Sequence, residues 1–295
     1  MSPNSESPEA SKPQSPAFIT GADMYAAYNR GERMTILDSH YYKTENSAWE
    51  AYVSQHIPGS MFCNPLMHLA AIPSRELGRN PLPETSRLQQ LFDDWGITAG
   101  KPVYIYDAGT NLYAARAWWV LRWAGFHDVH ILNGGTSEWE RAGGDLAGGI
   151  GALRGRGNVA VAPNSMPELN IDEVDDWKKD KFLVDCRGRG RFAGLREQYD
   201  HQAGHIPGAI NIPVSELRAD RGAKAGPIAS PEKVREVLAE FGVDKGEDVA
   251  VYSGSGVGSA LFIAAMEHAG LTGARHFVGG WSQWAASRTR PIERD

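Results

Sequence analysis

The chain repeats itself. Asp185 lies 147 residues beyond Asp38 at matching strand ends, Ile36-Leu37-Asp38 and Leu183-Val184-Asp185. His205 lies 149 residues beyond His56 in matching His-Ile-Pro-Gly turns, Ser253 146 beyond Asp107, and Gly279 145 beyond Gly134. Ordered landmarks at a nearly constant offset are what two tandem copies of one fold leave in a sequence. Within each copy, short apolar runs alternate with helical patterns. That alternation predicts an α/β fold, each copy a parallel sheet with helices on both faces. The implied division is a disordered, Ser/Pro/Glu-rich tail over 1–17, one domain over 18–143, and a linker over 144–164, which takes up all but the first residue of the Gly-rich stretch from Gly143 to Gly157. A second domain covers 165–295.

The elements follow from periodicity and caps. Strands are expected at Thr35–Asp38, Val103–Asp107, Val129–Leu132, Leu183–Asp185 and from Val249 to Tyr252. Helices are expected at Glu84–Trp95, Tyr113–Ala124, Ser230–Phe241 and Val257–Ala269, with Gly96, Gly125, Gly242 and Gly270 as stops. The last strand and helix are joined by Ser253-Gly254-Ser255-Gly256-Val257-Gly258. Backbone N–H groups in such a loop can converge on one point, and the helix N-terminus adds positive charge there. The loop suits an anionic group held at its first residue.

This loop resembles the active-site loop of the rhodanese sulfurtransferases, whose mercaptopyruvate branch reads Cys-Gly-Ser-Gly-Val-Thr. The chain matches four of those six positions; Ser253 replaces the cysteine and Gly258 the threonine. Two tandem rhodanese-like domains are therefore implied, the first non-catalytic with Asp107 heading its loop, the second carrying the active-site loop over 253–258. The helix sequence Ala114-Ala115-Arg116-Ala117-Trp118-Trp119 also resembles that of the family. The resemblance implies persulfide chemistry with thiosulfate or 3-mercaptopyruvate as sulfur donor, and a thiol or cyanide as acceptor. It places Ser253 at the nucleophile position and makes Gly254, Ser255, Gly256, Val257 and Gly258 substrate-binding. Arg191, in Gly190-Arg191-Phe192, matches the arginine that binds the donor's anionic end. The branch has a second arginine nine residues later, where this chain has Asp200; a shorter segment before His205 lets Arg196 take that role. Gly254 and Ser255 stand where thiosulfate users carry Arg-Lys, which shifts the expected donor toward 3-mercaptopyruvate. The Asp and His that the branch brings from its first domain are missing from Phe62-Cys63-Asn64-Pro65-Leu66 and from Gly78-Arg79-Asn80-Pro81-Leu82-Pro83.

A serine hydroxyl cannot carry transferable sulfur, because the chemistry needs a thiolate and an exchangeable S–S bond. The function expected by resemblance is thus a sulfurtransferase inactivated at Ser253, by natural or engineered replacement. One alternative is a non-catalytic module that holds an anion or partner. Another is a serine-dependent hydrolase, which would need a base beside Ser253; His268 lies too far down the helix.

The remaining composition narrows the setting. A net charge of −6 gives no general attraction to nucleic acid or anionic membrane. No apolar run approaches the roughly 20 residues of a membrane-spanning helix. Two cysteines, Cys63 and Cys186, make no disulfide framework and suggest a cytoplasmic location. His56 and His205 lack partners at zinc spacing, so no metal and no cofactor is expected. Trp281 and Trp284 are expected in the core.

Overall fold

A computed structural model of the protein describes residues 15–42, 44–152 and 156–295. Most of the expected tail and three linker residues, 153–155, lie outside the described residues. The first half contains β1 (Phe18–Ile19), α1 (Gly21–Asn29), β2 (Thr35–Asp38), α2 (Glu45–Ser54), β3 (Ser60–Phe62), α3 (Thr85–Asp94), β4 (Val103–Tyr106), α4 (Leu112–Trp123), β5 (Val129–Leu132) and α5 (Thr136–Arg141). The second contains α6 (Val174–Trp177), β6 (Phe182–Asp185), α7 (Arg189–Phe192), β7 (Ile210–Asn211), α8 (Pro231–Ala239), β8 (Val249–Tyr252), α9 (Gly258–His268), β9 (Arg275–His276) and α10 (Gly280–Trp284).

Both sheets are parallel in every described pairing. The first runs β1-β5-β4-β2-β3 and the second β7-β6-β8-β9. Read from the other edge, the second has the order of the first, with a parallel bridge from Glu168 to His276 standing where β1 pairs with β5. The structure is therefore two tandem copies of one α/β fold. The copies agree down to single bonds: Tyr106 Oη accepts from Ile57 N at 3.0 Å, and Tyr252 Oη from Ile206 N at 3.1 Å. The turn histidines are local fixtures, His56 Nδ1 meeting Tyr52 O and His205 Nδ1 meeting Phe192 O. Ala17, at the end of the expected tail, is buried, and its carbonyl accepts from Ile131 N.

Strand alternation divides the core. Successive side chains point to opposite sheet faces, so Tyr104 and Tyr106 face one way and Val103 and Ile105 the other. In the second half Ala250 and Tyr252 oppose Val249 and Val251. The first set of each half packs in its own outer cluster, which in the second half includes Trp281 and Trp284. The other sets join one continuous core shared by both halves. At its centre α4 lies on α9. A helix apolar on all sides is a buried helix, and every residue of α4 from Ala114 to Trp123 is buried. Its two charged members bridge the halves. Arg122 bonds Glu267 of α9 at 2.6 Å, and Arg116 reaches under the second half's loop.

The helices α1 and α2 were not expected from the sequence. Each is capped by a threonine, Thr20 accepting from Asp23 N and Thr44 from Ser47 N. Such caps satisfy orphan N–H groups at the first turn.

Candidate functional site

The two loops that follow β4 and β8 occupy equivalent places. In the first, the Asp107 carboxylate fills the turn. Its Oδ1 accepts from Gly109 N and Asn111 N at 2.9 Å each, and its Oδ2 from Thr110 Oγ1 at 2.9 Å and Tyr113 N at 3.1 Å. Asn111, at φ 58°, turns the chain into α4. The cradle is real, and in this half the protein supplies its own anion.

Ser253 heads the second loop and is 5% exposed. Its hydroxyl is bonded by no loop N–H group among the described residues, contrary to what the glycine pattern suggests. It meets Ser259 Oγ at 3.1 Å, and Ser259 Oγ meets His276 Nε2 at 2.7 Å. In either tautomer of the ring, the two hydroxyls and the imidazole form one hydrogen-bonded chain that ends inside the core. Burial and the nearby Arg116 charge push the His276 pKa well down, so the ring is neutral. The imidazole linked to Ser253 is thus that of His276, on β9, reached through Ser259, and not that of His268 along the helix. Cys186 borders the same spot: a Cβ on Gly258 would lie 3.4 Å from Ser253 Cβ and 3.7 Å from Cys186 Sγ. Burial pushes that thiol's pKa up and keeps it protonated.

The loop rests on a cation from the other half. Arg116 Nη2 donates to the carbonyls of Leu69 and Asn80 at 3.0 Å each, while its Nε and Nη1 have no partner among the described residues. Burial lowers its pKa to about 10, still well charged at neutral pH. Gly256 is in the left-handed region at φ 75°, and a Cβ there would lie 2.7 Å from Val278 O and 3.0 Å from Arg116 Nη1. Glycine is thus needed both for the turn and for the approach to the cation.

Arg191 lies at the mouth, over Gly254, with Arg79 beside it. Arg79 comes from the segment where the sequence suggested that ionisable groups had been lost. A Cβ on Gly254 would lie 2.9 Å from Arg79 Nη2 and 3.1 Å from Arg191 Nη1. Asp200 joins the two guanidiniums, Oδ1 to Arg79 Nη1 at 2.9 Å and Oδ2 to Arg191 Nη2 at 3.1 Å. Glu197 binds Arg191 at 2.9 Å, and Asn80 Nδ2 donates to Ser255 Oγ at 2.9 Å. Arg196 is exposed, with its side chain beside Gly190 and no ion pair among the described residues; the second guanidinium over the loop is that of Arg79. No cluster of three or more His, Cys, Asp or Glu able to hold a metal occurs among the described residues, and no described helix is long and apolar enough to cross a membrane.

The rhodanese-like domain model matches residues 22–142 and again 170–287. The chain belongs to the rhodanese family. It is 36% identical over 280 residues to the "Putative thiosulfate sulfurtransferase SseB" of Mycobacterium tuberculosis, covering 94% of this chain and 96% of that one. The 3-mercaptopyruvate sulfurtransferase of Escherichia coli is 27% identical over 302 residues, 95% of this chain and 99% of its own length. Among solved rhodanese structures, the Escherichia coli 3-mercaptopyruvate sulfotransferase SseA aligns at a TM-score of 0.75 and 26% identity, over 91% of this chain and all of that one. The Leishmania major 3-mercaptopyruvate sulfurtransferase shares the fold at a TM-score of 0.81 and 23% identity, covering 94% of this chain and 76% of that one.

Against that family background, Ser259, His276, Arg79 and Asp200 are the site residues that sequence reasoning did not assign. Arg79 carried a signal as a charged residue in a segment expected to cross to the other domain, and Asp200 one as the residue standing at the branch's second-arginine position.

Proposed function

We propose that this rhodanese-family chain binds a small anionic sulfur compound of the thiosulfate or 3-mercaptopyruvate class at the 253–258 loop and does not transfer its sulfur. The observation that carries this is an oxygen, Ser253 Oγ, at the head of a loop backed by the partly unpaired, buried Arg116 cation. Arg116 makes no close ion pair among the described residues, Glu168 acting on its charge only from a distance; such a buried charge is costly, and an anion in the loop would offset that cost. Gly254, Ser255, Gly256, Val257 and Gly258 would supply backbone N–H groups, and Arg191, once its pairing with Asp200 opens, the second charge for a carboxylate ligand. Arg196 would reach the ligand only by swinging in from solvent. The acceptors that relatives of this type imply, a thiol or cyanide, would find no persulfide here. Two buried free thiols fit a reducing, cytoplasmic setting.

The test is Ser253→Cys. With 3-mercaptopyruvate it should form a persulfide detectable by intact mass and release sulfide in the presence of a thiol. The unmodified chain should do neither with either donor. Steady turnover by the unmodified chain would overturn the proposal and direct attention to Cys186, then Cys63.

The Ser253–Ser259–His276 chain favours a second reading, a serine-dependent hydrolase. Against it, the depressed His276 pKa makes the ring a weak base. Fluorophosphonate labelling of Ser253 that disappears in Ser259→Ala would establish it.

A further inference from the structure

The clamp over Gly254 is already occupied by the protein. Each Asp200 carboxylate oxygen bonds a different guanidinium, one from each half of the molecule. This is how a ligand carboxylate would bridge the same pair. The Asp200 side chain is almost wholly buried, whereas Arg79 and Arg191 keep 32% and 25% exposure and so remain reachable from solvent. Burial raises the Asp200 pKa, against the Arg79 charge, so its ionised form is held there at a cost. Tyr199 stacks near both cations, 5.3 Å and 5.2 Å from ring centroid to guanidinium carbon, and is itself exposed. With Asp200 and Glu197 in place the two arginines are neutralised, and an incoming anion gains little from them.

We propose that Asp200 is an internal occupant of a two-arginine carboxylate clamp, and that a short 2-oxo or thio-carboxylic acid enters by displacing it. This rests on the reading that the ligand's other end reaches the Ser253 loop. Arg79 is then a specificity-determining residue supplied by the N-terminal half, and Asp200 an autoinhibitory one. A ligand without a carboxylate, such as thiosulfate or sulfate, would use the loop without needing to open the clamp.

The experiment is calorimetric titration of the intact chain with pyruvate and, separately, with sulfate. The proteins are the unmodified chain, Asp200→Asn, Asp200→Ser, Arg79→Ala, and the Arg79→Ala/Asp200→Asn pair. Freeing the clamp removes the cost of displacing an internal competitor. Pyruvate affinity should therefore rise at least about tenfold in Asp200→Asn. Arg79→Ala should cancel that gain, while sulfate affinity changes little in any variant. Thermal melts identify any variant that fails to fold, and Asp200→Ser serves as the second carboxylate-free version. Equal pyruvate affinity with and without the Asp200 carboxylate overturns the proposal, as does a gain that survives Arg79→Ala. Failure of sulfate to bind any variant would instead count against the loop as an anion site.

Discussion

Two copies of one turn lie in this molecule, and they differ in what fills them. In the N-terminal half the Asp107 carboxylate accepts from Gly109, Thr110, Asn111 and Tyr113 and closes the turn from within. In the C-terminal half Ser253 gives a single hydroxyl, and that hydroxyl is turned away to Ser259. The first turn is complete as folded. The second has the Arg116 charge behind it and a neutral hydroxyl at its head. The difference teaches that one scaffold can close its turn with a side-chain carboxylate or place a neutral hydroxyl there, depending on its first residue.

The largest expected effect breaks the complete copy. Asp107→Ala leaves several buried N–H groups unsatisfied and should destabilise the chain by about 3 kcal/mol. Chemical denaturation measures this, and a change under about 0.5 kcal/mol would place it among ordinary surface substitutions. A smaller effect converts the second copy into the first. Ser253→Asp brings a carboxylate to the loop N–H groups and to Arg116, and should stabilise by about 1–2 kcal/mol while abolishing sulfate binding. Unchanged sulfate affinity in that variant would show that the anion binds elsewhere.

The smallest effect concerns the strand ends beside each loop. Asp185 pairs with Arg187, whose charge is permanent, whereas the matching Asp38 pairs with His40. Burial alone would lower the His40 pKa, but the hydrogen bond and charge of Asp38, helped by Asp107, raise it above 6.5. A raised folded pKa means that the stabilisation is fully present below 6.5 and is lost as pH rises through the folded value. His40→Arg should flatten that part of the stability–pH curve, making the N-terminal half behave as the other does. An unchanged slope would assign the dependence to another group.

The repeat was legible because strand ends, His-Ile-Pro-Gly turns and loop heads are local features that survive duplication with their spacing. The helices α4 and α9 were legible because they are predominantly apolar and end at glycine stops. Half of the site was not. His276 lies on a two-residue strand and joins the site by meeting Ser259 of α9, and no local pattern marks that. Arg79 reaches a loop head far along the chain, and Asp200 has meaning only between two arginines from different halves. Glycine spacing did identify the loop, but for mixed reasons: Gly256 meets the left-handed turn and Arg116, Gly254 the two guanidiniums, and Gly258 only ordinary contacts.

Each half also lays a strap across the other's loop. Arg79 N donates to Ser282 Oγ and Asn80 to Ser255, while Arg218 Nη2 donates to Thr110 O and Gly226 N to Gly109 O. Duplication ordinarily leaves one copy dispensable. Here a truncation that discarded the N-terminal copy would remove the cation beneath Gly256 and half of the clamp above Gly254 in one stroke. The two copies can no longer be inherited, shuffled or lost independently, and any change selected at Ser253 is tried against Arg79 and Arg116, which stand 174 and 137 positions earlier in the chain.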